Sequence, residues 1–190
     1  MAQDTSQPGS DSPNPRVYLL AGPNGAGKST FARRYLSVGS SAIEFLNADV
    51  MAAALSPLDP AQAALRAGRL LIEETCARVT HRSTFGLETT LSGFGYVRWI
   101  NRWREAGYHI HLTYIRLQSA ELAISRVAAR VRQGGHFVAE DVIRRRYERG
   151  WQLFETHYKP LADRWMVLEN SGPAPILVDQ GGSNGDRFPV

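Results

Sequence analysis

A chain of 190 residues that is 43% hydrophobic can build one ordinary domain core and does not call for a second. Its one cysteine, Cys76, excludes an internal disulfide and any cysteine-based metal site. No apolar run approaches the roughly eighteen residues of a membrane span, so a soluble, cytoplasmic protein is expected. The net charge of +4 and pI near 9.5 permit an anionic partner without naming one.

Residues 1–15, rich in Gln, Ser, Pro, Asp and Gly, read as a disordered leader; a single domain is expected over 16–178 and a flexible tail over 179–190. Arg16 to Leu20 reads as a short buried strand. It runs into Gly22-Pro23-Asn24-Gly25-Ala26-Gly27-Lys28-Ser29-Thr30, and a helix is expected from Ser29 to Ser37. A glycine, four residues, then Gly-Lys-Ser between a strand and a helix is the complete phosphate-binding loop pattern. Its glycines let the backbone turn N–H groups toward phosphate oxygens where a Cβ would intrude, and the helix start adds positive potential. Lys28 would reach the β- and γ-phosphates of ATP or GTP, and the Ser29 hydroxyl would hold Mg²⁺.

A second strand is expected over 42–47, delivering Asn47 and Asp49 to the sheet edge where ligands bind in open parallel sheets. Asp59-Pro60 marks a helix start, with the helix continuing to about Arg82. Cys76, in line with Leu65, Ile72 and Val79, is expected on its core face. Residues 83–90 read as a third strand that presents Glu88, Thr89 and Thr90 at its end. A helix from Gly95 to Ala106 should bury Tyr96, Ile100 and Trp103, with Gly107 as its stop. A core role for these aromatics is favoured over a base-stacking platform, because nothing basic alternates with them in the way single-strand binders require. A fourth strand over 108–117 ends without an acid, which argues against an ATP-driven motor.

Ser119 should cap a helix to about Gln133, and Ala139-Glu140-Asp141 should open another that buries Ile143, Tyr147, Trp151 and Phe154. Between Ser119 and Gly150 lie seven arginines against four acids, so the chain's excess positive charge is concentrated here. Two arginine-bearing helices around Gly134-Gly135 suit a lid, with Arg126 and Arg130 on one face and His136 at the break. Residues 163–168 read as a further strand, followed by the turn Glu169-Asn170-Ser171-Gly172, and 176–178 as an edge strand. The alternation implies a three-layer α/β domain with a parallel central sheet and a helical, arginine-rich lid.

For chemistry, a γ-phosphoryl transfer needs a proton acceptor and cations around the phosphate oxygens. Asp49 is the first candidate for the acceptor and Glu88 the second; Thr90 is a candidate for substrate contact. Together, the loop Gly22–Thr30, Leu46-Asn47-Ala48-Asp49, Leu87-Glu88-Thr89-Thr90, the Arg126/Arg130/Gly134-Gly135-His136 segment and Glu169-Asn170-Ser171-Gly172 resemble the zeta-toxin group of phosphate-loop kinases. That resemblance implies an ATP- or GTP-dependent kinase of toxin–antitoxin type whose acceptor is the sugar hydroxyl of UDP-N-acetylglucosamine, with an antitoxin protein as partner. It implies Asp49 as the base, with Lys28, Arg126 and Arg130 beside it in catalysis. Glu88, Thr90 and His136 would stand at the substrate, and Asn170 near the nucleotide base. The competing expectation is a nucleotide-gated protein that binds nucleic acid or a protein partner, with weak ATPase activity.

Overall fold

The computed structural model describes residues 14–36, 43–56 and 59–182. The end of the first expected helix at Ser37, the expected strand start at Ala42, residues 1–13 of the leader and residues 183–190 of the tail lie outside them.

Six strands form one sheet in the order β2-β3-β1-β4-β5-β6: β1 (Arg16–Ala21), β2 (Phe45–Leu46), β3 (Phe85–Thr89), β4 (His109–Arg116), β5 (Arg164–Glu169) and β6 (Ile176–Gly182). The first five are parallel, and β6 runs antiparallel to β5. The sheet is therefore mixed rather than wholly parallel. The physical reason is the length of the 170–175 connection, which is too short for a crossover and admits only a reversal. β6 also continues past Val178 to Gly182, because Arg164 to Val167 offer a free edge with which it pairs.

Among the described residues, six α-helices cover the sheet: α1 (Lys28–Phe31), extended by a π-type turn to Leu36; α2 (Ala48–Leu55); α3 (Pro60–Thr80); α4 (Gly95–Glu105); α5 (Ala120–Arg132); and α6 (Glu140–Leu153), extended irregularly to Leu161. Alternation of side chains along the buried strands divides the core between two faces. On one, Val17, Leu19, Phe85, Leu87, Leu112 and Tyr114 meet α4 and the end of α6. On the other, Leu20, Ile115 and Met166 meet α1, α5 and the start of α6. Caps follow the sequence signals. Asp59 accepts from the Gln62 amide and Ser119 from that of Leu122, and Gly107 takes φ +81° after α4.

One helical face is rotated from expectation, and a second buries two residues beyond those expected. In α3 the buried line is Ala63, Ala67 and Thr75, with Leu71 partly buried; Cys76 is exposed, and Leu65 is 71% exposed. The small residues set this face, because only they let α3 approach α2 closely, whereas the bulkier Leu65 and Ile72 point outward. In α6, Gly150 and Leu153 share the buried face with Ile143, while Tyr147 and Trp151 are half-buried.

Candidate functional site

The loop after β1 is shaped by close approach as much as by dihedral angle. Gly22, Gly25 and Gly27 have φ of +138°, +80° and +88°. A Cβ at these positions would lie 2.1 Å from the Ile115 carbonyl oxygen, 2.6 Å from that of Ala123 and 2.7 Å from Asn170 Nδ2, respectively. The loop is thus pressed between β4, α5 and the turn after β5. Within the described residues the amides of Gly25, Gly27 and Lys28 donate to no carbonyl outside regular elements, leaving a concave set of N–H groups.

Lys28 lies across this cradle, its ammonium donating to the Gly22 and Pro23 carbonyls at 2.9 and 3.0 Å. Burial of the ammonium pulls its pKa from the ordinary lysine value down to about 8, against the opposing fields of Glu88 and then Asp49; Arg130 and Arg146 add to the lowering. Four charged groups from four separate elements or loops therefore act on one ammonium.

Glu88 reaches this point because β3 is hydrogen-bonded to β1 with Glu88 in register with Leu20. Its Oε2 accepts from Ser29 Oγ at 2.8 Å and from Asn47 Nδ2 at 2.9 Å. The acid missing from the end of β4 is supplied by β3, the strand on the other side of β1. Among the described residues no group of three or more His, Cys, Asp or Glu side chains is placed to hold a metal ion. The Ser29 hydroxyl and Glu88 carboxylate do offer two hard oxygen donors, which fits a Mg²⁺ carried mostly by phosphates and water.

Asp49 lies in the first turn of α2. The cap of that helix is Asn47, whose Oδ1 accepts from the amides of Asp49 and Val50 at 2.8 and 3.4 Å. Asp49 is therefore not the cap, and its side chain is exposed in the first turn of the helix.

The arginine-bearing pair α5–α6 is built into the domain. Ala123, Val127, Val138 and Ile143 are buried in the second core, Tyr147 donates to the Leu117 carbonyl at 2.7 Å, and Arg144 pairs with Glu121. Both helices of the expected lid therefore rest on the second core, joined by a short tip around 133–137. Arg126 donates from both terminal nitrogens to the carbonyls of Asn170 and Ser171, at 2.7 and 3.2 Å. It braces the 169–172 turn, and Asn170 in turn donates to the Ala26 carbonyl at 2.8 Å. Arg130 donates to the His136 carbonyl at 2.8 Å and still acts on Lys28. His136 is half-buried at the tip, and Thr90 shares a hydrogen bond of 2.9 Å with Ser92.

Arg146 is the residue that the sequence reading missed. It sits three residues after buried Ile143 and four before buried Gly150, on the same face of α6, and donates to the Asn24 side chain at 3.2 Å. The signal was present as a choice among three consecutive arginines. It could be resolved only by knowing that Gly150, which packs on the Thr90 carbonyl, marks the inward face.

Residues 17–156 match the family model described as an AAA domain. A Haemophilus influenzae protein described only as uncharacterized is 35% identical over 133 residues, covering 70% of this chain and 92% of its own. The fold is shared with a structure from the PezAT chromosomal toxin–antitoxin system of Streptococcus pneumoniae, with TM-score 0.68, 16% identity, and coverage of 95% of this chain and 78% of that one. It is shared also with the AvrRxo1-ORF1:-ORF2 complex with ATP, with TM-score 0.67, 16% identity, and coverage of 90% and 59%. The expected relation to toxin–antitoxin kinases is thus met at the level of fold. No described helix is long and apolar enough to cross a membrane. With a matching model that runs from the phosphate loop through the helix carrying Arg146, this chain belongs to the AAA-domain family.

Proposed function

We propose that the protein is a nucleoside-triphosphate-dependent phosphotransferase that moves the γ-phosphoryl group to a hydroxyl of a small molecule. The single observation that carries this reading is the Glu88 carboxylate on the Ser29 hydroxyl of the phosphate loop at 2.8 Å, opposite Arg146 on Asn24 of the same loop at 3.2 Å, with Asp49 and Arg130 also within electrostatic reach of the Lys28 ammonium. A terminal phosphate bound at Lys28 would have carboxylates on one side and guanidinium groups on another. That is what transfer asks of a protein: a proton acceptor and stabilisation of the charge spread over the equatorial oxygens.

In this reading the acceptor hydroxyl loses its proton to Asp49 as its oxygen bonds to the γ-phosphorus. The bond from that phosphorus to the bridging oxygen breaks, and the nucleoside diphosphate leaves with the electron pair. Lys28, Arg130 and Arg146 hold the phosphoryl oxygens, Arg126 keeps the Asn170 turn against the loop, and Thr90 and His136 stand on the acceptor side. Mg²⁺, when bound with the nucleotide at Ser29 and Glu88, neutralises phosphate charge. The first acceptor to test is UDP-N-acetylglucosamine, on the strength of the motif resemblance and the shared fold. An antitoxin-like protein is the proposed partner.

The test is incubation with ATP or GTP, Mg²⁺ and UDP-N-acetylglucosamine, followed by a panel of sugars, nucleosides and hydroxylated antibiotics, with mass detection of a product heavier by one phosphoryl group. Asp49→Asn should lower transfer by about 100-fold or more while nucleotide affinity changes less than about threefold. No product across the panel would defeat the reading. Glu88 beside Ser29 favours a second one, slow hydrolysis with water as acceptor, which predicts phosphate release without any added acceptor.

A further inference from the structure

A recess of about 200 Å³, open to solvent beside Ile72 and Gly95, lies between α3, α4 and β3 and is lined by no residue of the phosphate loop. Its walls are apolar. Leu71, Ile72 and Leu87 form one part, and Tyr96, Trp99 and Trp103 contribute three aromatic side chains. Thr75, the hydroxyl-bearing residue on the α3 side, uses its hydroxyl internally, donating to the Leu71 carbonyl at 2.7 Å. The remaining positions are glycines, Gly68 in the interior of α3 and Gly95 at the start of α4. A Cβ at either would meet nothing within 4 Å. Neither glycine has the positive φ that would require it.

Glycine inside a helix weakens it relative to alanine, so Gly68 keeps this recess open at a cost to α3. Space that two glycines leave open, in front of three aromatic walls, is space for a ligand. The volume sets the ligand's size, since a cavity of about 150 Å³ with aliphatic and aromatic walls admits benzene. The lining sets its chemistry, because a polyhydroxylated ring of the same size would lose its hydrogen bonds to water and regain few here.

We infer that this recess binds a compact, mainly apolar six-membered ring. The inference is separate from phosphoryl transfer: it requires occupancy, whatever the phosphate loop does. The ring can belong to the acceptor molecule or to another small molecule, and one probe distinguishes these. Benzyl alcohol carries both the ring and a hydroxyl, and glucose supplies a ring of similar size covered in polar groups.

Calorimetric titration of the whole protein with benzyl alcohol should saturate with a Kd on the order of 1 mM, as expected for a ligand of about eight heavy atoms, while glucose should give no saturable signal. Gly68→Leu, which puts a side chain into the space, should weaken benzyl alcohol at least tenfold; Gly68→Ala, which keeps most of it open, should retain binding and serves as the folded control. With ATP and Mg²⁺ present, a product heavier by one phosphoryl group assigns the ring to the acceptor. Saturation without product assigns it to a separate ligand. Absence of saturation in the unmodified protein, equal binding of glucose, or unchanged binding by Gly68→Leu overturns the inference.

Discussion

Replacing Gly150 by alanine would put a methyl group 2.7 Å from the Thr90 carbonyl oxygen and 3.1 Å from the Tyr114 hydroxyl. Gly150 is in the interior of α6, where alanine by itself is favoured by about 0.5–1 kcal/mol. The Thr90 carbonyl is backbone and cannot rotate aside, so α6 must shift or the strand end must yield. Forcing an extra carbon into a packed site costs about 1–3 kcal/mol, which leaves a net loss of about 0.5–2 kcal/mol. The same substitution at Gly68, in the interior of α3, meets nothing within 4 Å. There only the helix term acts, a gain of about 0.5–1 kcal/mol. Both substitutions restrict the unfolded chain to the same extent, so the difference between them isolates the contact. For a chain of this size each kcal/mol moves Tm by about 2–4 °C, giving a fall of about 1–8 °C for Gly150→Ala and a rise of about 1–4 °C for Gly68→Ala. Scanning calorimetry without nucleotide measures both. Shifts of the same sign would refute the claim that tertiary contact, rather than helix propensity, decides the outcome at Gly150.

Other consequences concern the charges around the loop. Lys28 is lowered from 10.5 to about 8 in the folded protein, so between those values the unfolded chain binds the additional proton and stability should rise with pH. The Tm difference between the unmodified protein and Lys28→Met, followed from pH 7.5 to 10, should show this rise; a fall would reverse the assigned sign. For the same reason, ATP binding near pH 9 should take up a proton, detectable as a buffer-dependent binding enthalpy. Arg146→Ala removes the link from α6 to Asn24 and one positive group at Lys28, and should weaken ATP binding by about fivefold or more with Tm nearly unchanged. Arg126→Lys cannot span the Asn170 and Ser171 carbonyls together and should raise KM for nucleotide about three- to tenfold with kcat largely kept, because the turn it braces is a positioning element. A fall in kcat with unchanged KM would instead put Arg126 at the reacting phosphate.

How much of this was legible follows from the range over which each signal acts. The phosphate loop, the Asp59 and Ser119 caps and the Gly107 stop are local devices, set by dihedral preference and hydrogen bonds within a few residues, and they stand where the sequence puts them. The inward faces of α3 and α6 are not local. Spacing alone favours Leu65, Ile72 and Cys76 as readily as Ala63, Ala67 and Leu71, and what chose between them is the close approach of α2, which demands small side chains.

The sequence by itself determined that a phosphate-loop pattern stands between a strand and a helix at residues 22–30, and that the chain alternates strands with helices, since both are written in short-range pattern. Only the tertiary structure decided which acid stands beside that cradle. Strand order brings Glu88, and not the end of β4, next to Ser29, because β3 pairs with β1 across a separation that no local pattern records. It likewise selected Arg146 from three adjacent arginines and gave Arg126 to the Asn170 turn, since the role of a guanidinium depends on which carbonyl or phosphate lies within about 3 Å of it.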